Sequence, residues 1–338
     1  MSSPETTACP APSSNEKLPP GAANPFVFMV GSPRSGTTML KRMVAAHPLM
    51  AVTRETHWIP GIFERRRGLT DRGRVTTKVV EKLRSHKRFE QIKTPPETVV
   101  RWIADEPQLS YAELVSRLFD RYGERKGKPL VGDKTPTYVR NIPTLHQLWP
   151  RAKFVHLIRD GRDVCLSMLK WRKADKAAGQ FATWADDPVV TTALWWKALV
   201  GLGVEEGRRL PDGLHAELKY EHLVANPAGA CRQLTEFLGL DYDPAMENYH
   251  EGRTQFEAGL SANAAWLPPT PGRRDWRRDM AAADVARFEA ATGDLLDLLG
   301  YERACHDLPA DARRAADDIR ARFAAEARER NWRLPELW

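Results

Sequence analysis

Apolar residues along the chain follow two patterns, short unbroken runs and positions spaced three and four apart, and the two predict different elements. Phe26-Val27-Phe28-Met29-Val30 and Lys153-Phe154-Val155-His156-Leu157-Ile158 are short runs of β-branched, aromatic and apolar residues. They read as parallel strands buried on both faces. Pro129 to Gly132 and Ala216 to Tyr220 read as further strands. From Thr38 to Ala46, Met39, Leu40, Met43 and Val44 share one helical face, and His47-Pro48 ends the helix. Tyr111 to Tyr122 presents Leu114, Val115, Leu118 and Phe119 in the same way. Further helices are predicted up to Trp149, after Asp163 through Lys173, from Val189 to Arg209, from Pro227 to Leu238 and from Ala310 to Arg330. Strands separated by helices in this order predict an α/β fold, a single domain with a central parallel β-sheet flanked by helices.

Two stretches break the pattern. Residues 1–25, rich in Pro, Ser and Ala, read as a disordered N-terminal tail, and the polar, basic stretch from Arg65 to Pro107 reads as part of a helical insertion around 65–125 rather than as sheet. The folded unit is therefore expected over 26–305, with 306–338 as a C-terminal helical extension. A length of 338 residues is enough for two domains by size alone. The order of elements favours one.

Charge narrows the partners. The chain has 51 Lys plus Arg against 44 Asp plus Glu, a formal net charge of +7, so anions are expected to bind. The four cysteines, Cys9, Cys165, Cys231 and Cys305, are far apart and have no histidine at metal-ligand spacing, which argues against a disulfide framework or a zinc site. No apolar run approaches the ~20 residues of a membrane span. The first 25 residues carry no leader pattern. The expectation is a soluble, cytoplasmic protein with no membrane partner.

The first candidate chemistry is Gly31-Ser32-Pro33-Arg34-Ser35-Gly36-Thr37-Thr38, between a buried strand and a helix. In that context backbone N–H groups and the helix N-terminus converge on phosphate oxygens, and glycines permit close approach. The spacing of the two glycines is that of the nucleoside-triphosphate loop, yet Thr37 stands where that loop carries its phosphate-binding lysine. Arg34 is the cation inside the loop instead. Transfer of a terminal phosphate from a triphosphate is disfavoured, and a different phosphate group is expected.

Pro33-Arg34-Ser35-Gly36-Thr37-Thr38 resembles the loop that binds the 5′-phosphosulfate in sulfotransferases that use 3′-phosphoadenosine 5′-phosphosulfate. A second segment, Val155 to Ser167, resembles the family's strand ending in Arg with Ser eight residues on, which together hold the 3′-phosphate. By this resemblance Arg34, Ser35, Gly36, Thr37 and Thr38 bind the 5′ end, and Arg159 and Ser167 bind the 3′-phosphate. Arg273 and Arg274, in Pro271-Gly272-Arg273-Arg274-Asp275-Trp276, stand for the family's basic covering loop. The resemblance also implies a P-loop nucleoside-triphosphate-hydrolase-like fold, no metal requirement, and adenosine 3′,5′-bisphosphate as the product.

Sulfo transfer needs an in-line acceptor, a base, and cations facing the oxygens that gain charge. Arg34 is one such cation and Lys134, after the strand end at Gly132, is the second. Small-molecule members of the family take the base from a Lys-Thr-His segment, but this chain has Lys134-Thr135-Pro136. The protein-tyrosine branch uses a Glu, and Arg54-Glu55-Thr56-His57-Trp58-Ile59-Pro60 stands at the matching distance from the loop. Glu55 is the expected base and His57 the reserve. A base working near neutral pH is expected to have its pKa raised by burial. The acceptor is expected to be a hydroxyl, phenol or amine of a small molecule. Its pocket is expected from Ile59 to Pro107 and Lys170 to Pro188, with Trp58, Trp102, Trp171 and Trp184 hinting at an aromatic substrate. A homodimer is compatible with this reading. The rival readings are a nucleotide-dependent small-molecule kinase, which Thr37 opposes, and a nucleic-acid binder. The basic stretches Arg65–Arg74 and Arg121–Lys128 lack the interleaved aromatics of the latter, so no nucleic acid is expected.

Overall fold

A computed structural model describes residues 18–251 and 267–338. The sheet has five parallel strands in the order β2-β3-β1-β4-β5: β1 Val27–Gly31, β2 Met50–Thr53, β3 Leu130–Lys134, β4 Lys153–Ile158 and β5 His215–Lys219. Every residue of β1 is buried, Phe28 and Val30 facing one core and Val27 and Met29 the other, which is why this strand is an unbroken apolar run. On the β1 side of β3 the chain order reverses. The loops after β1, β3 and β4 therefore open into one crevice at the carboxyl ends of the strands.

The helices cover both faces. Between β1 and β3 lie α1 Thr37–Ala46, α2 Ile59–Glu64, α3 Lys78–Arg84, α4 Pro96–Asp105 and α5 Tyr111–Glu124. Helix α5 is opened by a capping box in which the Ser110 hydroxyl accepts from the Glu113 amide and the Glu113 carboxylate accepts from the Ser110 amide. Then follow α6 Ile142–Leu148, α7 Gly161–Leu169, α8 Pro188–Arg209, α9 Tyr220–Ala225, α10 Pro227–Leu238, α11 Trp276–Asp279, α12 Ala282–Leu298 and α13 Ala310–Glu329. Helices α1 and α10 pack on the face holding Val27 and Met29. Helix α8, nearly all buried and capped by Asp187 accepting from the Val189 and Val190 amides, lies on the other face with α12 and α13.

Three details differ from the sequence expectation. Strand β2 has only four residues at the sheet edge, too few for a periodic signal. Helix α7 ends at Leu169 rather than continuing to Lys173, because its buried face stops at Met168 and the next residues are exposed or only partly buried. Of the expected tail, residues 1–17 lie outside the described residues. Residues 18–25 run onto β1, where the buried Asn24 amide donates to Asp120 Oδ1 and the Pro129 carbonyl and accepts from the Val131 amide. Among the described residues no helix is long and apolar enough to cross a membrane.

The face of β4 and β5 under α8 carries two imidazoles, His156 and His215, with ring centroids 6.1 Å apart. Burial and the neighbouring His215 push His156 down to about 3, and burial pushes His215 down to about 4. The folded chain thus refuses protons that the unfolded chain accepts below a pKa of about 6.5. Stability should be full above about pH 6.5 and decline as pH falls towards 4, by up to ~1.4 kcal/mol per pH unit for one such imidazole. Denaturant titrations at neutral pH and near pH 5 check this, and a midpoint unchanged between them would contradict it.

Candidate active site

Each wall of the crevice begins at a strand end. At the end of β1, Gly31 has φ +145° and a Cβ there would lie 2.4 Å from the Leu157 carbonyl oxygen. Gly36 has φ +92°, caps α1, and a Cβ there would meet the Tyr220 ring at 2.5 Å. Arg34 also takes a positive φ, 77°. Helix α1 has no acidic residue in its first turn and no side-chain cap, so its leading amides face the crevice without an acceptor from the helix. The Ser35 hydroxyl is buried and has no hydrogen-bond partner among the described residues.

Arg34 crosses the crevice. Its Nε donates to Ser167 Oγ on α7 at 3.0 Å, and its guanidinium lies 5.1 Å from the Trp171 ring centroid. Arg159, just after β4, is buried, lies 4.2 Å over the Tyr220 ring, and donates to Asp163 Oδ2 at 2.9 Å. Asp163 Oδ1 in turn accepts from the Trp276 amide at 2.9 Å, which anchors the segment after Arg273 and Arg274. Burial, then Arg274 and Arg159, lower the proton affinity of Arg34; burial and Arg159 do the same to Arg274. Arginines that depress one another in this way form a site where an anion relieves the repulsion.

The opposite wall comes from β2 and β3, paired so that Thr53 lies beside Asp133. The Thr53 hydroxyl donates to Asp133 Oδ2 at 2.7 Å, and the Thr56 amide to Thr135 Oγ1 at 2.9 Å, which fixes the segment carrying Glu55. Lys134, almost fully buried, donates to Glu55 Oε1 at 2.7 Å. The His57 ring lies 3.0 Å from Glu55 Oε2, and an Arg88 nitrogen 3.9 Å from it. Burial raises the proton affinity of Glu55, but His57 and Lys134 outweigh it, and the carboxyl is held well below the usual carboxylate range. This corrects the expectation of a raised pKa. The cause is the pairing of β2 with β3, which delivers Lys134 onto the carboxylate.

These walls enclose a cavity of about 890 Å³. Arg34, Gly36, Thr37, Thr38, Glu55, Arg159, Ser167, Arg273 and Arg274 all line it, whereas Ser35 and Lys134 lie behind its surface. Among the described residues, nine Arg and Lys side chains line it against two carboxylates, Glu55 and Asp279. The remaining cations are Arg88, Arg140, Lys170, Lys173 and Lys176. Burial pushes Arg140 down to about 10.

The aromatic lining of the cavity differs from that expected for an acceptor pocket. Trp171 lines it, but Trp58 is buried in the core and Trp102 and Trp184 pack against the core. Of Ile59 to Pro107 only Arg88 contributes. Trp195 of α8 and Trp332, beyond α13, take the places of the others, with Arg140 3.8 Å from the Trp332 ring. Tyr220, read from the sequence only as the last residue of a strand, lines the cavity beneath Arg159. It follows β5 directly, so its place at a strand end was the available signal. Nothing in the local sequence marks Arg140 or Trp332.

A parallel sheet, a glycine-containing loop without a lysine after β1 and a cation-lined crevice at the strand ends make a site suited to an anionic ligand. The model of the sulfotransferase family matches residues 25–244, and the chain belongs to that family. It is 25% identical over 228 residues to protein-tyrosine sulfotransferase A of Caenorhabditis elegans, covering 68% of this chain and 53% of the relative. To the protein-tyrosine sulfotransferase of Drosophila melanogaster it is 24% identical over 298 residues, covering 82% and 52%. The chain thus spans about half the length of these curated relatives. The fold is also that of the sulfotransferase domain from the curacin biosynthetic pathway, with a TM-score of 0.50 at 19% identity over 92% of this chain and 98% of that one. One expectation is corrected. The cytoplasmic location is overturned by relatives that are protein-tyrosine sulfotransferases. Separated cysteines and a tail without a leader pattern do not report on compartment.

Proposed function

We propose that this chain moves a sulfo group from 3′-phosphoadenosine 5′-phosphosulfate to an acceptor hydroxyl, with Glu55 as the general base. The observation that carries the reading is the convergence of Arg34, Lys134 and Arg159, from three strand ends, around one cation-lined cavity. The buried, unpartnered Ser35 hydroxyl and Arg159 Nε fit a doubly anionic nucleotide. The leading amides of α1, with Ser35, Thr37 and Thr38, would hold its 5′ end, and Arg159, Ser167, Arg273 and Arg274 its 3′-phosphate. The nucleotide supplies the sulfo group and leaves as adenosine 3′,5′-bisphosphate.

Glu55 receives the acceptor's proton. Its resting proton affinity is too low for that while Lys134 and His57 both hold it. A move of the Lys134 ammonium from Glu55 towards the incoming anion would raise the affinity of the carboxylate and place a cation where negative charge accumulates. The three tryptophans and the lysines of the Lys170–Lys176 segment favour an aromatic acceptor that carries negative charge. A phenol is the best match, first as a tyrosine side chain in a peptide, as the relatives' names suggest, and second as a small molecule. The kinase reading is weaker because the loop cation is Arg34 and the position of the kinase lysine is Thr37.

Calorimetry with adenosine 3′,5′-bisphosphate should show micromolar or tighter binding without magnesium. Arg159→Met should weaken it by ~10- to 100-fold, the loss of a charged hydrogen bond. No binding, or binding of ATP only with magnesium, would sink the assignment. A screen of acidic tyrosine peptides and small phenols with the sulfo donor, read by mass spectrometry, identifies the acceptor.

A further inference from the structure

We propose that His156, His215 and Glu217 form a binding site for a divalent transition-metal ion at the β5 edge of the sheet. The site stands apart from the sulfo-transfer reading and does not depend on it. The pairing of β4 with β5 places Phe154 beside His215 and His156 beside Glu217, so His156, His215 and Glu217 emerge on the same face of neighbouring strands. One ligand atom from each lies within 4.8 Å of the other two. A tetrahedral zinc ion at ~2.0–2.1 Å from each ligand brings such atoms to ~3.3 Å from one another, a contraction within reach of side-chain rotation.

Two observations point to an ion rather than to packing. His156 is fully buried, yet among the described residues neither of its ring nitrogens has a hydrogen-bond partner, and Nε2 of His215 has none either. Buried polar atoms left unpaired are costly, and nearly all find a partner. The second observation is the space made for the two imidazoles. Helix α8 has Gly203 and Gly207 one turn apart, and a Cβ at these positions would lie 2.2 Å from His156 Cε1 and 2.1 Å from His215 Cε1. Glycine within a helix costs about 1 kcal/mol against alanine, so two of them at these positions mark a groove kept for the rings.

Glu217 is exposed at the sheet edge and supplies the negative charge. Arg208 and Lys219 are its nearest cations, and the Lys219 ammonium is already held by the Leu299 carbonyl at 2.6 Å. Two nitrogens and one carboxylate oxygen suit zinc, cobalt or nickel and not the oxygen-seeking magnesium or calcium. Water can complete the coordination on the solvent side. The ion would tie the edge strand to β4, whose His156 lies against the first residue of the anion loop: a Cβ at Gly31 would be 3.6 Å from its Cδ2.

The test uses the full chain, stripped with a chelator and dialysed. Titration with zinc should show one tight equivalent and a raised thermal midpoint, and cobalt should add visible absorption of a nitrogen-ligated site. His215→Asn and Glu217→Gln, both outside the fully buried core, should each weaken zinc binding by at least ~10-fold, with far-ultraviolet spectra unchanged. Zinc affinity equal in the wild type and in the double variant H215N/E217Q, or no tight equivalent at all, would overturn the site.

Discussion

Glu55→Gln is expected to lower kcat by about 10²- to 10⁴-fold, the usual contribution of a general base, while the affinity for adenosine 3′,5′-bisphosphate changes little. The two effects separate because Glu55 lies on the β2–β3 wall and the arginines proposed to hold the phosphates lie on the β1–β4 wall. Glutamine still offers an oxygen to Lys134 at 2.7 Å, so the wall keeps its shape, but it cannot accept a proton. Turnover with saturating donor and acceptor, beside calorimetry of the product nucleotide, reads both. Wild-type turnover in this variant would transfer the role to another group, with His57 next in reach. The pH profile adds a second readout. His57 and Lys134 hold the Glu55 carboxyl well below the carboxylate range, so the base stays ionised as pH falls. The acidic limb of kcat/KM, which reports the free enzyme, should therefore lie below the ~4.3 of an ordinary glutamate, provided the fold survives.

The second large effect concerns stability. Arg162→Met is expected to destabilise the fold by about 3–5 kcal/mol, because it strands buried carboxylates. Arg162 is fully buried, gives Nε and NH2 to the two oxygens of Asp160 at 3.0 and 2.7 Å, and gives NH1 to Glu289 Oε1 at 2.6 Å. Its guanidinium also lies 3.6 Å over the Trp276 ring. Glu289 would keep only the Ala304 and Cys305 amides. Denaturant unfolding measures the loss, and adding Glu289→Gln should recover part of it, since the stranded charge is then gone. A loss below about 1 kcal/mol would show that the network is not the clamp it resembles. The same substitution should weaken nucleotide binding, because Trp276 anchors the loop that carries Arg273 and Arg274 to Asp163.

How much of this was legible depends on the range of the interactions involved. Strand β1, the loop to Thr38 and helix α1 form one continuous segment, and its apolar run, glycines and helical face are all local signals. Strand β4 and Arg159 are legible for the same reason. Arg162 stands in the same motif and was indistinguishable from a solvated arginine, because its partner Glu289 is far along the chain. Trp332 and Arg140 were equally silent, since the contact that brings them to the cavity joins the turn before α6 to a segment beyond α13. The spread of tryptophans suggested an aromatic pocket, but only packing distinguishes Trp171, Trp195 and Trp332, which line it, from Trp58, which fills the core.

The net charge of +7 shows the same division. By itself the chain set out a parallel α/β sheet and carried the local pattern of a phosphate loop with an excess of basic residues, because each of these follows from neighbours in sequence. Only the tertiary structure decided which cations gather around the cavity, that Lys134 lies on Glu55 and holds its proton affinity down, and that His156 and His215 stand side by side. Those arrangements depend on strand order and register, which pair residues tens of positions apart and leave no periodic trace along the chain.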